Sequence, residues 1–506
     1  MVAIKPSILP VYLPDLVTRR MCATAHLDAG FAREVIEEYA EDGLNAVGPA
    51  LGVNLVAVVR HARLAEERGI ARDRKLAALL GLLLALLVSG GALLATGNGT
   101  LGLACLAASA TVLPGAWLVV FRNGWAARSM ALALRDDLSP PQSLAPPLPA
   151  QLERRLDDLK RVNIIPYHAD AEARTPFVGS GWRISESVWA PVDVSRPAKG
   201  PAGQILKPVP FDVCDLHHHL AQRLPGVTGL GNLKADSRLY VRGLHVVDLG
   251  PEVLPDPLRQ PLAVIPDALV QEGADKPGGG METYLSLRAF SGGGKVVVSV
   301  HLRAQLHWPQ LSWEVAAYVL PPLGERFDEP PWLAGTRARL KARTAAHAVH
   351  ATSEALLRSW SRLGGRSWHR ALRRRRLTRL RKEIRKDYGR YDYGARSSLR
   401  EQASAWSRMG YSELRDAQIY FKSIVQATLT CTESFLTEHH IDASDLRSQR
   451  QQIIREQVFN FNGVIHGGVQ AGSENQMTVN GPVPPPGGGT GAGGPSPEGG
   501  PPAPGN

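Results

Sequence analysis

Histidines are the residues best placed to do chemistry. "DLHHHL" sets His217, His218 and His219 in succession. On a helix, consecutive side chains diverge by about 100°, so these three cannot ligate one ion. His347, His350 and Glu354 recur at i, i+3 and i+7, a single helical face where a cation could sit. Their Arg and Lys neighbours disfavour one. "FVGSGW", Phe177 to Trp182, reads as a tight glycine turn. "SGGGK" lacks the spacing and the hydroxyl residue of a phosphate-binding P-loop. No nucleophile elbow, metalloprotease helix or dinucleotide fingerprint stands in a suitable context. Cys22, Cys105, Cys214 and Cys431 form no CxxC pair, which supports neither a disulfide framework nor a zinc knuckle. The reading is therefore a non-enzymatic protein with no catalytic, metal-binding or cofactor-binding residue.

The elements that would carry any site begin with a membrane anchor. "LAALLGLLLALLVSGGALLAT", Leu76 to Thr96, and "LGLACLAASATVLPGAWLVVF", Leu101 to Phe121, contain no charge. At 1.5 Å per residue each reaches about 30 Å, the thickness of a hydrocarbon core. Only "GNGT" separates them, so the spacing predicts an antiparallel transmembrane hairpin over 76–121. Arg72, Arg74 and Lys75 precede it, Arg122, Arg128 and Arg135 follow, and the turn is uncharged. Positive-inside counting places both ends in the cytoplasm. Gly90, Gly91, Ala92, Ala107, Ala108 and Ala110 offer small surfaces for helix packing. With 46 Arg against 12 Lys and abundant Ala, Gly and Pro, the composition points to a GC-rich bacterial genome, hence a multi-pass protein of the bacterial inner membrane.

Around the hairpin the pattern changes several times. Residues 1–75 read as a cytosolic helical juxtamembrane region, with Phe31, Val35, Ile36 and Tyr39 at helical spacing and Asn54 as an N-cap. A basic, then Pro-rich linker covers 122–150. Over 151–330, "SRLYVRGLHVVDL", "TYLSLRAF", "KVVVSVHLRAQLHW" and "LSWEVAAYVL" predict strands, with "FSGGGK" as a hairpin turn. "FDVCDLHHHLAQRL" predicts an amphipathic helix. The fold class is α+β: the transmembrane hairpin, a mixed domain with a mainly antiparallel sheet, a C-terminal helical region over 331–456 and a disordered Pro/Gly tail over 481–506.

Charge is local. Residues 337–386 hold 17 Lys or Arg against Glu354 and Glu383, a surplus larger than the +11 of the whole chain. Arg370, Arg373, Arg374, Arg375, Arg376, Arg379, Arg381 and Lys382 form the densest part. On a membrane protein this predicts adhesion to anionic lipid headgroups, at about 1 kcal/mol per basic residue near the surface. No nucleic-acid-binding module accompanies the charge, which disfavours that partner.

Next comes the opposite. "VFNFNGVIHGGVQAGSENQMTVNG", residues 458–481, belongs to a run with no charged residue from Gln457 to Ser473. Low charge suits stacking of identical strands, where like charges would repeat about every 4.8 Å and Asn or Gln side chains would ladder. Val469, Gln470, Ala471 and Gly472, with Gly463, Val464 and Gly467 upstream, resemble bacterial amyloid signalling motifs and the RIP homotypic interaction motif. The rest of the chain resembles bacterial two-helix membrane proteins. The resemblance implies a signalling or assembly role over 457–480. Phe459, Phe461, Val464, Ile465, Val469, Gln470, Ala471 and Gly472 would make the contacts, with a second copy or a partner sharing the segment. The alternatives from sequence are a membrane scaffold that binds lipid or protein, and an enzyme with an unrecognised site in 151–330. A deep polar pocket in that domain would favour the enzyme.

Overall fold

The computed structural model describes residues 15–456, apart from 42, 173, 174, 277 and 279. The neutral segment and the Pro/Gly tail therefore lie outside the described residues.

Helices α1 (Leu16–Leu27) and α2 (Ala29–Val35) open the chain, and one π-helical stretch, Ile36–Glu41, extends α2. Asp28 caps α2 by accepting the Gly30 N–H at 2.8 Å. Asn54 caps α3 (Leu55–Ala95) by accepting the Ala57 N–H at 3.3 Å. The predicted stripe Phe31, Val35, Ile36 and Tyr39 is buried, together with Met21, Cys22, Val56 and Val59. A single helix thus begins in a protein core and continues as the first apolar run. The second run is broken into α4 (Gly99–Ala110) and α5 (Val112–Asp136) at Thr111. Pro114 explains the break, because it lacks an N–H and its ring crowds the Ala110 carbonyl.

Both stretches, Leu55–Ala95 and Gly99–Asp136, are long and apolar enough to cross a membrane. Leu82, Leu84, Leu87, Val88, Leu101, Leu103 and Leu113 are exposed, forming an apolar belt. The helices cross at Gly90 and Gly102, where a Cβ on Gly90 would lie 3.2 Å from the Gly102 carbonyl oxygen. Ala107, Ala108 and Ala110 face outward, and nothing lies within 4 Å of a Cβ built on Gly91.

After α6 (Ala150–Asp158) come β1 (Ile164–Tyr167), the single turn α7 (Ala169–Glu172), β2 (Trp182–Asp193), α8 (Val213–Arg223) and β3 (Lys234–Arg242). Then follow α9 (Asp267–Asp275), β4 (Met281–Ser291), β5 (Val296–His307) and β6 (Gln310–Leu320). The strand order is β1-β3-β4-β5-β6-β2. All pairs are antiparallel except β1 with β3, so the sheet is mixed and mainly antiparallel, as the sequence predicts. Gly292, Gly293 and Gly294, all at positive φ, make the β4–β5 turn read from "FSGGGK".

The strands β4 to β6 follow their expected positions. Of the strand expected over 237–249, only Ser237–Arg242 belongs to β3 and Gly243–Leu249 is a 3-10 helix, and β1 and β2 are not among the expected strands. Alternation gives the sheet two unlike faces. Leu285, Leu287, Val298, Val300 and Leu302 are fully buried under α8, α9 and α13 (Tyr411–Glu438). Tyr240, Tyr284, Ser286, His301 and Tyr318 line the other face around Phe177.

Four more helices complete the described residues before and after α13: α10 (Arg337–Leu357), α11 (Ser359–Lys386), the short α12 (Leu399–Gln402), and finally α14 (Ser444–Glu456). The α10–α11 turn reaches the apolar runs, with Ala355 and Leu356 packed on Leu76, Leu80 and Ala116. From there α11 returns antiparallel along α3. Trp360 Nε1 donates to the Ala77 carbonyl at 3.0 Å, Arg366 pairs with Asp73 at 2.8 Å, and Arg370 pairs with Glu66 at 2.9 Å. Residues 15–456 fall within one compact unit, in which α13 packs on α8, β4 and β5.

Candidate functional site

Beyond the end of the four-residue β1, the first half of β3 has an open edge. A cleft of about 800 Å³ follows it. It wraps round that edge: His217, Ala221, Val270 and Gln271 line it from α8 and α9, on the face of the sheet opposite Arg238 and Arg288, and residues 159–163 line it as well. Residues 50–54 close one end. There Leu51 and Gly52 take φ of +44° and +82°, and the Val53 N–H returns to the Ala50 carbonyl at 3.0 Å. Leucine in that conformation costs about 1 kcal/mol. Gly52 cannot carry a side chain, since a Cβ would lie 2.9 Å from the Phe290 ring.

The floor is charged. On β3, Lys234, Asp236 and Arg238 share a face, and the register sets Arg288 of β4 opposite Lys234. Arg238 and Arg288 are 2% and 7% exposed, and both turn to a single carboxylate, Asp236, whose side chain is half exposed. Arg238 lies 3.6 Å from it, and Arg288 hydrogen-bonds it. The Nε atoms of both arginines are buried without a hydrogen-bond partner. Burial, and then the neighbouring Arg288, pulls Arg238 down to about 10. Lys234 adds an ammonium over the Phe290 ring at 5.8 Å.

Two other arginines have more partners, although each also keeps one nitrogen without a hydrogen bond. Arg303 has both Glu282 at 2.5 Å and Glu314 at 3.2 Å. Arg400 donates to the Lys295 and Pro321 carbonyls at 2.7 and 2.9 Å. Among the described residues no carbonyl does the same for Arg238 or Arg288. An unsatisfied buried donor costs about 1–3 kcal/mol, and more for a charged group. The cleft is thus suited to an anion.

The candidate chemical residues are placed as follows. His217 is buried and its Nε2 accepts the Ala304 N–H at 3.3 Å, whereas His218 meets Gln222 and His219 faces Glu438. The three point apart, as helical spacing requires. Burial lowers His217 to about 4, so it is a neutral acceptor. Asp212, Cys214 and Asp275 bring ligand atoms within 4.8 Å of one another beside the cleft. Asp212 is occupied as the α8 cap, and burial with nearby carboxylates raises the Cys214 thiol to about 12.

The glycine turn at Phe177–Trp182 holds a pair that sequence reasoning missed. Ser180 Oγ lies 2.9 Å from His301 Nε2. His301 Nδ1 meets Ser286 Oγ at 3.0 Å and the Tyr240 hydroxyl at 3.3 Å. Among the described residues no carboxylate orients the ring, Phe177 stacks on it at 4.1 Å, and neither Ser180 nor His301 lines the cleft. This pair is a satisfied polar core rather than a nucleophile and base.

The predicted lipid-surface residues divide. Arg373 is drawn inward to Glu37 at 3.1 Å and Glu41 at 3.8 Å, and Arg370 to Glu66. Arg374, Arg375, Arg376, Arg379, Arg381 and Lys382 are exposed. By helical rise, Arg376 lies about 24 Å along α11 from Trp360, which touches the apolar run. The basic stretch is carried away from that run, well beyond a screening length of about 8 Å. Phe459, Phe461, Val464, Ile465, Val469, Gln470, Ala471 and Gly472 lie outside the described residues.

Residues 184–473 match the family described as the AbeC-like domain. The match takes in β3, β4 and the arginine floor, and leaves out the apolar hairpin and the walls at 50–54 and 159–163. No curated protein and no solved structure matches the chain.

Proposed function

We propose that this chain, which belongs to the AbeC-like domain family, is a membrane-anchored protein that binds an anionic ligand in the arginine-floored cleft. One observation carries the reading: Arg238 and Arg288 are buried around a single half-exposed carboxylate. A ligand phosphate or carboxylate would supply the missing counter-charge, with the bidentate geometry that guanidinium favours. The volume suits a small molecule of nucleotide size. Binding rather than catalysis is favoured, because burial holds His217 neutral and the Cys214 thiol protonated.

Calorimetry on the full-length protein in detergent tests this, with pyrophosphate and ATP as probes. Binding of at least one probe is expected, and Arg288→Met should abolish it. Arg288→Met should also leave unliganded stability equal or higher, because an under-compensated buried charge is gone. Absence of binding by both probes rejects the reading.

The positive flanks support a placement in a bacterial inner membrane with both termini in the cytoplasm. A second role, homotypic assembly in signalling, is supported by the charge-free composition of 457–473. A peptide over 456–480 should seed its own fibres with cross-β spacing, and Gln470→Lys should block it. A peptide that stays soluble rejects that role.

A further inference from the structure

A second cavity, of about 440 Å³, lies where the apolar runs end. Val120, Asn123, Gly124 and Ala127 of α5 form one side, immediately after the second run. Arg33, Arg72, Arg128, Arg362 and Arg366 line it, against Glu66 and Glu354. Those two acids are engaged by arginines that do not line the cavity: Glu66 by Arg370 and Glu354 by Arg358, at 2.9 and 2.8 Å. Arg72, Arg362 and Arg366 converge on one fully buried carboxylate, Asp73, at 2.7, 3.5 and 2.8 Å. Among the described residues neither Arg33 nor Arg128 has an acidic partner. Arg128 stands over the Trp332 ring at 5.3 Å, and burial lowers its affinity for its proton. The cavity therefore has a large local excess of positive charge.

Its surroundings are apolar on the membrane side. Val349, Leu357 and Trp360 of the α10–α11 turn are exposed, as are Leu113 and Leu118 of α5. A bound molecule here would meet guanidinium at one end and a hydrocarbon-facing surface at the other. We infer that this cavity binds the phosphate of an anionic lipid headgroup, with the acyl chains lying along α5 and the α10–α11 turn. Basic pockets between membrane helices at the headgroup level serve such recognition. The inference shares only the membrane anchor with the proposed function. The cleft on the sheet takes no part in it.

Native mass spectrometry of the full-length protein, released from nanodiscs of mixed phosphatidylglycerol and phosphatidylcholine, tests it. The wild type should retain phosphatidylglycerol at least about tenfold over phosphatidylcholine, the ratio that one charge-assisted contact supplies. Arg33→Gln with Arg128→Gln should abolish the preference, and Arg128→Lys should keep most of it. Near-UV circular dichroism checks that each variant is folded. The combined Arg374→Gln, Arg375→Gln and Arg376→Gln variant should retain lipid normally. Equal retention of both lipids by the wild type overturns the inference. So does binding of glycerol phosphate in lipid-free detergent that depends on Arg128, since the source would then be soluble.

Discussion

Helix α11 and the cleft at the β3 edge both present arginine, the first to water and the second to protein. Arg374, Arg375, Arg376, Arg379, Arg381 and Lys382 crowd within two and a half turns, yet each is exposed and hydrated. Arg238 and Arg288 come from strands fifty residues apart in sequence, with one carboxylate between them. Coulomb energy scales inversely with the effective dielectric, so the same unit charge acts several times more strongly where water is displaced. Charge density along a sequence therefore measures little. Desolvation and the count of counter-charges decide where a protein can hold an anion.

The sharpest break in this comparison should come at Asp236. Asp236→Asn leaves two buried guanidiniums without any counter-charge and should cost about 3 kcal/mol in denaturant unfolding. The matching change at Glu66, which faces α11, should cost under about 1 kcal/mol because that pair is partly exposed. Equal losses at the two sites would erase the distinction between the regions.

Acid should sharpen the contrast. Burial holds His26, His61, His217 and His301 below the usual histidine range, His26 and His301 well below it. The unfolded chain takes up these protons near its ordinary value of about 6.5 while the folded chain resists. Stability should be full above that pH and fall as pH drops toward 4. The slope is about 1.4 kcal/mol per pH unit for each histidine that stays neutral. Melting temperatures between pH 8 and 5 read this directly. His217→Asn should flatten the profile, and neutralising exposed α11 residues should not.

Least affected should be the basic helix itself. Arg373→Gln removes pairs to Glu37 and Glu41 and should cost about 1 kcal/mol. The combined change of Arg374, Arg375 and Arg376 to Gln should stay within about 0.5 kcal/mol. Denaturant titration separates the two.

Much of the frame was legible in the sequence. The charge-free runs could only be long apolar helices, and β-branched alternation located β4 to β6 and β3 from Ser237 onward, but ran on into the 3-10 helix Gly243–Leu249. Strand β1 escaped because it has four residues, one of them Pro166. Strand β2 escaped because two register shifts, at Arg183/Ser185 and Trp189/Val192, break its period of two. The arginine floor had one faint signal, the alternation of Lys234, Asp236 and Arg238. Nothing in sequence sets Arg288 beside it, since that needs the β3–β4 register, or brings up residues 50–54. The mass of charge on α11 was plain. Its direction was not, because that depends on Asp73, Glu66 and Glu37 pulling the helix back along α3.

Helix α3 has a mechanical consequence. Its 41 residues make a rod about 60 Å long. One end is fixed at Asn54, directly after the strained Leu51–Gly52 turn that closes the anion cleft. The other end is Ala95, at the far side of the first apolar run. A rod transmits axial thrust and torque without a joint. Because Leu55 to Val59 are buried in the core, the base of the rod is clamped, and the turn before it sets the direction in which the apolar run leaves the protein.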